Sequence, residues 1–153
     1  MDKKNVNLKK ALYKSCVEFV DQREETINEI ITSSHNALTS ETKSSAGDKH
    51  ETGRAMLQLE IEKASQQLEG IHEMRLILSK IRMDDISEFI KLGSVVITNR
   101  GNYFLAISAG EINILTIKYF AVSTASPIGK LLLGKSVGNV FDFNHQYIIQ
   151  EVF

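Results

Sequence analysis

The 153-residue sequence contains one cysteine, one proline and no tryptophan. Cys16 alone permits neither an intrachain disulfide nor a four-cysteine metal site. No segment approaches the roughly 18 consecutive apolar residues that a membrane span requires. The net charge is −1, so any contact with nucleic acid must be local or indirect. Met1–Lys10 carries lysines without an apolar core behind them, so we expect no secretory signal and a soluble, cytoplasmic protein.

Proline and glycine are unevenly distributed along the chain. Residues 1–82 contain no proline and only three glycines, at positions 47, 53 and 70. Beyond that point glycine becomes frequent, and β-branched and aromatic residues cluster together. The change in composition predicts an α+β protein with two domains, residues 1–82 and residues 83–153.

Apolar residues in the first half recur at helical spacing and form one narrow stripe on each of two helices. Such a stripe is typical of a helix that packs against one partner and exposes its other faces to water. We therefore predict a long antiparallel helical hairpin, a coiled coil that turns within Thr39–His50, where Ser, Thr, Gly and Asp favour turns. Arg75 interrupts the second stripe. The predicted stripe residues are Leu8, Leu12, Cys16, Phe19, Ile27, Ile30 and Ala37, then Leu57, Ile61, Ala64, Leu68, Ile71 and Leu78.

The second half is typical of a small β domain with one short helix. Gly101 is expected to take a positive φ in a hairpin turn at Asn99–Asn102. Ser126-Pro127 favours the start of a helix at Ile128–Leu133, with Gly134 at its end. We predict an antiparallel sheet from segments rich in Val, Ile, Tyr, Phe and Thr, with strands at Ser94–Thr98, Asn102–Ile107, Ile114–Ala121, Val137–Phe143 and Gln146–Phe153.

The segment Gly129–Ser136 matches the spacing of a phosphate-binding loop, but its context contradicts that function. Such a loop requires a helix that begins at its Lys-Ser pair. Here Lys135-Ser136 is followed by residues that favour a turn and a strand, and the loop positions are leucines. We therefore interpret the match as coincidental.

Two carboxylates in the predicted turn are the best candidates for chemistry. Asp48 and Glu51 are three residues apart, so at the start of a helix they point to the same side. One interpretation is structural, with Asp48 as the N-cap and both charges favourable near the helix N-terminus. The other is that the exposed pair ligates a hard cation such as Mg²⁺. Spacing alone leaves both open.

Two segments resemble the Gre-type transcript cleavage factors that act on bacterial RNA polymerase. Gly47–Thr52, Gly-Asp-Lys-His-Glu-Thr, resembles the Gly-Asp-x-x-Glu-Asn tip of that family. Ser126–Lys135 resembles the family's Ser-Pro-Ile-Ala-x-x-Leu-Ile-Gly-Lys segment, and Val137-Gly138-Asn139 continues it. The order and separation of the two motifs fit the family across most of the chain.

The resemblance implies an accessory factor without a complete active site of its own. Its hairpin would enter the secondary channel of RNA polymerase and place a tip, residues 40–52, near the nascent RNA 3′ end. There Asp48 and Glu51 would hold a second Mg²⁺ jointly with the polymerase, for two-metal cleavage of backtracked RNA. An FKBP-like C-terminal domain would dock on the polymerase through Ser126, Pro127 and Ile128. Basic tip residues, Lys43, Lys49 and Arg54, would face RNA or polymerase acids, and the expected state is a monomer.

Departures from the family pattern leave other functions open. Thr52 replaces the asparagine that follows the glutamate, and Ala55 replaces an aromatic residue. Gly53 weakens the helix beside the tip by about 1 kcal/mol relative to alanine. One alternative is a channel-binding regulator that does not support cleavage. Another is an FKBP-like interaction module unrelated to polymerase.

Overall fold

The structure is a computed structural model of the chain. It describes the backbone of residues 2–43 and 47–153, and the side chains of residues 2–40 and 51–153. The fold is α+β: two long helices packed against each other precede a six-stranded mixed sheet with one short helix. The predicted fold class is confirmed at this level. No helix in the described part of the chain is long and apolar enough to cross a lipid bilayer.

The two long helices are α1, Lys3–Lys43, and α2, Gly47–Ser79. Both extend well into the segment Thr39–His50 that was predicted to turn. Ser and Thr are only moderate helix breakers, so an established helix continues through them at small cost. Because α2 begins at Gly47, Asp48 lies inside the first turn, and the prediction that it is the N-cap is wrong.

The chain divides into two compact units, Val20–Arg75 and the combination of Met1–Phe19 with Leu76–Phe153. The division at residues 82 and 83, based on composition, stays a prediction. In the Val20–Arg75 unit the predicted stripe positions are buried or partly buried. Val20, which was not predicted, is fully buried, whereas the predicted Phe19, which belongs to the other unit, is only partly buried. The buried residues in this unit recur at intervals of seven, and we call them the seam: Val20, Ile27 and Ser34 on α1, with Ala64 and Ile71 on α2.

The second unit contains the sheet. Its strands are β1, Val95–Thr98; β2, Asn102–Ala106; β3, Gly110–Ile114; β4, Ile117–Ser123; β5, Val140–Phe143; and β6, His145–Val152. The order across the sheet is β3-β4-β2-β1-β6-β5. The prediction of a fully antiparallel sheet is wrong, because β2 and β4 pair in parallel while the other neighbours are antiparallel. Pairing between non-consecutive strands depends on tertiary packing, which the period of one strand does not reveal.

The segment Ile114–Ala121, predicted as one strand, contains the turn of a hairpin. Leu115 and Thr116 have φ values of 48° and 69° and join β3 to β4, with Ile114 paired to Ile117. Neither residue is of the type that favours left-handed backbone, so the turn had no local signal.

The predicted turn at Asn99–Asn102 forms by a different device. Gly101 does not take a positive φ. Instead, the Thr98 hydroxyl oxygen accepts hydrogen bonds from the backbone N–H groups of Arg100 and Gly101, at 3.1 and 3.0 Å. The same hydroxyl donates to the Gly101 carbonyl at 2.7 Å. A buried threonine therefore closes this turn without left-handed backbone.

The short helix α3, Pro127–Leu132, packs on one face of the sheet. Ile128 and Leu132 join a buried cluster with Val96, Tyr103 and Leu105, completed by Ile90, Phe141 and Ile149. Gly134 has a φ of +79° and follows the helix, as predicted. The core of this unit therefore fixes α3, and with it the direction of the Ser126-Pro127 segment.

Candidate functional site

The predicted tip carboxylates lie in the first two turns of α2. Glu51 is exposed, so its carboxylate faces solvent. The backbone of Asp48 is helical, but its side chain lies outside the described residues. Both positions have helical backbone, three residues apart, and the pairing of the two carboxylates stays a prediction.

The basic residues predicted beside the tip are described only in part. Arg54 is partly buried on α2. The side chains of Lys43 and Lys49 lie outside the described residues, as do residues 44–46 entirely. A role for these cations at the tip stays a prediction.

The three predicted docking residues differ in what their side chains do. Ser126 is the N-cap of α3: its hydroxyl accepts from the Gly129 N–H at 3.1 Å and donates to the Ser123 carbonyl at 2.6 Å. Ile128 is only 9% exposed and belongs to the core cluster. Pro127 is exposed at the first helical position. Of the three, Pro127 is the one whose side chain is available to a partner, while Ser126 and Ile128 hold it in place.

Gly129 permits this tight capping arrangement. A methyl group at this position would overlap the Ser123 carbonyl oxygen and would lie 2.9 Å from the Ser126 Oγ. The Gre-type motif has alanine here, so the chain departs from the family pattern where the turn approaches α3 most closely. This turn, with its close approach of Ser123 to α3, therefore requires glycine at position 129.

The interrupted helical stripe contains an ion cluster that sequence patterns did not identify. The Arg75 guanidinium donates from Nε and Nη2 to the Glu24 carboxylate at 3.1 and 2.6 Å, and from Nη2 to Asp21 at 2.9 Å. The hydrogen bonds that Arg75 donates, first to Glu24 and then to Asp21, raise the pKa of Arg75 above its usual range. Arg75 itself was the visible signal, but its partners depend on how the helices align.

The surroundings of this Arg75 cluster are open to water. A groove of about 810 Å³ runs beside it, lined by residues of α1 between Asp21 and Asn36 together with Arg75. The three charged side chains are between 35% and 59% exposed. Screening by water therefore limits the free energy that the cluster contributes. The more significant effect of the cluster is geometric, because its three hydrogen bonds hold two helices in one alignment.

Cys16 has no features of a reactive thiol. It is fully buried, and burial raises the pKa of the thiol to about 12. A thiol with such a pKa is almost entirely protonated at neutral pH, and the thiolate is the nucleophilic form. The sequence interpretation of Cys16 as a small core residue fits this environment.

Among the described residues, no group of three or more His, Cys, Asp and Glu side chains is placed to hold a metal ion. The cation site predicted at the tip requires only two carboxylates from this chain, and the structure describes one of them. Comparison of the chain with protein-family models and with curated proteins finds no match. The functional proposal therefore depends on the two motifs and on where the fold places them.

Proposed function

We propose that the chain is a Gre-type RNA polymerase factor that stimulates cleavage of backtracked nascent RNA. In this function the paired helices enter the secondary channel, and Asp48 and Glu51 contribute ligands to a second Mg²⁺ held jointly with the polymerase. The protein is then an accessory factor rather than an independent enzyme. Its direct partner is RNA polymerase, and it meets the RNA 3′ end only within that complex.

One observation supports the proposal above the others: the acidic motif lies at the start of the second of two long packed helices. Within Val20–Arg75 these helices bury one seam and leave most other side chains exposed. A helical pair of this kind has a small interior and no enclosed site. Residues of such a pair that act on another molecule must therefore do so from its surface.

The chemistry assigned to the chain's own residues is limited. Carboxylate oxygens are the ligands that Mg²⁺ prefers in proteins, and positions 48 and 51 are three residues apart on α2, the spacing at which helical residues share one side. Asp48 and Glu51 would hold the ion jointly with the polymerase, and it would supply activation of water in a two-metal displacement. The helix contributes by holding both carboxylates on a stiff backbone, which reduces the entropy lost when the site assembles.

We also propose that the sheet and α3 form an FKBP-like domain that docks on the polymerase through Pro127. The mixed sheet with one short helix on its face supports this assignment. The Ser126 cap and the buried Ile128 make the position of Pro127 rigid, as a docking residue requires.

A specific observation favours a second candidate, a channel-binding regulator that does not support cleavage. Residues 20–75 carry eleven acidic and six basic side chains, and this excess of negative charge disfavours close contact with RNA phosphates. Thr52, Gly53 and Ala55 also depart from the family pattern beside the tip carboxylates. Under this alternative the chain binds the same channel and changes initiation or pausing without shortening RNA.

The test uses purified bacterial RNA polymerase stalled in backtracked elongation complexes, with the RNA labelled at its 5′ end. We expect the full-length protein to shorten the RNA from its 3′ end in a Mg²⁺-dependent reaction. The double variant Asp48→Ala, Glu51→Ala should abolish shortening while still binding the polymerase. Glu62→Ala with Glu69→Ala is the matched control, since it removes two exposed carboxylates from the same helix.

Each outcome distinguishes the candidates. Loss of shortening only in the tip variant supports the cleavage function. Binding with unchanged RNA length but altered initiation supports the regulator. Absence of binding to polymerase rejects both and leaves the FKBP-like interaction module as the remaining candidate.

A further inference from the structure

Arg75 lies where the apolar stripe of α2 is interrupted and makes three hydrogen bonds to two carboxylates of α1. Two N–H groups of the guanidinium, on Nε and Nη2, converge on the same Glu24 oxygen, Oε2. Arginine contacts of this kind restrict orientation as well as distance. We infer that Arg75 is a positioning residue, which fixes the register of α2 against α1 and thereby the place of Asp48 and Glu51 at the tip. The inference rests on the proposed function for its effect on cleavage, but its effect on register stands independently.

The turn between the helices gives little information about register. The segment Thr39–His50 has no proline and no large apolar residue, and helix continues from both sides as far as Lys43 and Gly47. Short polar residues can be added to either helix at small cost. The helices could therefore slide past each other by exchanging residues with the turn, unless contacts elsewhere prevent it.

The seam also discriminates weakly between registers near the tip. Its members there are Ser34 and Ala64, which are small, and the neighbouring Leu57 and Ile61 are only partly buried. A seam of small side chains loses little packing when it is displaced by a complete repeat. A polar contact at one seam position is the known means of selecting one register among several apolar alternatives.

The Arg75 cluster opposes such a displacement. A slip of seven residues keeps the seam in phase, but toward the tip it would place Arg75 opposite Asn28 and Ile31 instead of Asp21 and Glu24. The guanidinium would lose both carboxylates. Such a slip would also move Glu51 along the helix by about 10 Å relative to α1, which is far beyond what a shared metal site tolerates.

The register is tested directly by pulsed electron paramagnetic resonance on the full chain. Spin labels are attached at Glu29→Cys on α1 and Gln67→Cys on α2, two exposed positions. Cys16 is fully buried with a thiol pKa of about 12, so it should stay unlabelled at neutral pH. We expect one narrow distance distribution with Arg75 present, and a broadened or second distribution in Arg75→Met. Lys63→Met is the matched control, an exposed cation on the same helix.

A charge swap between residues 24 and 75 distinguishes an effect on helix register from an effect of losing the Arg75 charge. Arg75→Glu places three acidic side chains together and should broaden the distribution more than Arg75→Met does. Adding Glu24→Arg to Arg75→Glu returns a cation between Asp21 and residue 75, and should narrow the distribution again. An effect caused by general destabilisation of the helices would not be reversed by a second charge change.

The consequence for function is measured in the RNA-shortening assay at saturating factor. Arg75→Met should reduce the maximal rate of shortening by about tenfold or more, because misplacement of reacting groups is costly. The concentration for half-maximal effect should change little, since docking residues are untouched. An unchanged distance distribution in Arg75→Met overturns the inference, whatever the cleavage result. If the distance distribution shifts in Arg75→Met but the unsubstituted protein does not shorten RNA, the role of Arg75 in register is supported and the proposed function is rejected.

Discussion

The Tyr13 hydroxyl donates a hydrogen bond to the Leu78 carbonyl, with an oxygen–oxygen distance of 3.1 Å. Leu78 lies in the last turn of α2, and its carbonyl also accepts from the Ile81 N–H at 3.1 Å. Tyr13→Phe removes the donor but keeps the ring, so we expect the free energy of unfolding to fall by about 1 kcal/mol. Urea unfolding followed by circular dichroism measures the change.

The control for this variant is the neighbouring exposed residue Lys14, whose ion pair with Glu18 is long, at 3.9 Å, and well solvated. Lys14→Met should leave stability almost unchanged. Equal effects of the two substitutions would show that the Tyr13 hydrogen bond contributes nothing specific.

Lys9 is a buried cation whose position predicts a stabilising substitution. Its side chain is 2% exposed, so the ammonium is largely withdrawn from water, which disfavours its charged form. The nearby Asp85 carboxylate is already paired with Lys91 at 2.5 Å. Lys9→Met keeps the aliphatic length and removes the charge, so we expect the free energy of unfolding to rise by about 1 kcal/mol at pH 7. Lys10→Met, at an exposed position of the same helix, should have no comparable effect.

The gain from Lys9→Met should depend on pH. Burial is the main cause that lowers the pKa of Lys9 from 10.5, and Lys91 adds to it, while Asp85 opposes it. Because the folded state holds the proton less tightly than the unfolded state does, the wild-type protein gains stability as pH rises toward 10.5. The difference between the two proteins should therefore be largest at neutral pH and shrink in alkaline buffer. A gain that is constant with pH would contradict this cause.

Local pattern was sufficient to predict the helical half. The apolar spacing identified both helices, and burial of Ile27, Ala64 and Ile71 confirms the seam. The helix ends were less accurate, because Ser, Thr and Gly determine a turn only when no stronger contact extends the helix. The strands β1, β2, β4, β5 and β6 followed β-branched composition, whereas β3, Gly110–Ile114, was not predicted. The parallel pairing of β2 with β4 arises from contacts between distant segments.

The part of the candidate site that consists of short sequence motifs could be predicted. Asp48, Glu51 and Ser126-Pro127 were visible as sequence patterns, and the capping role of Ser126 follows from its residue type. The Arg75 cluster was not, because the choice between Asp21, Glu24, Glu25 and Glu29 as partners depends on helix register. The burial of Ile128 likewise required the packing of α3 on the sheet.

We expect alanine substitutions at two glycines to change the free energy of unfolding in opposite directions. A methyl group at Gly129 would overlap the Ser123 carbonyl oxygen, so Gly129→Ala should cost about 2–3 kcal/mol through displacement of α3. Gly70 lies within α2 with nothing within 4 Å of an added methyl group. Gly70→Ala should instead stabilise by about 1 kcal/mol. Thermal unfolding of both variants measures these changes. An unchanged stability in Gly129→Ala would show that the turn before α3 adjusts freely.

The turn between β3 and β4 offers a stabilisation that leaves the core unchanged. Leu115 and Thr116 occupy left-handed backbone, with φ values of 48° and 69°, at a cost of roughly 1–2 kcal/mol for each residue. Asn-Gly is the favoured pair for a two-residue turn with positive φ at both positions. We expect Leu115→Asn combined with Thr116→Gly to raise the free energy of unfolding by about 1 kcal/mol, after the larger entropy of glycine in the unfolded chain is subtracted.

This double substitution also removes Leu115, a side chain that is 89% exposed, so a control must separate strain from surface polarity. Val137→Asn serves this purpose, since Val137 is 57% exposed and has no left-handed backbone. Urea unfolding should show a gain for the turn variant and little change for Val137→Asn. Equal gains in both would attribute the effect to the exposed apolar surface, and no gain in the turn variant would mean that its backbone is not strained in solution.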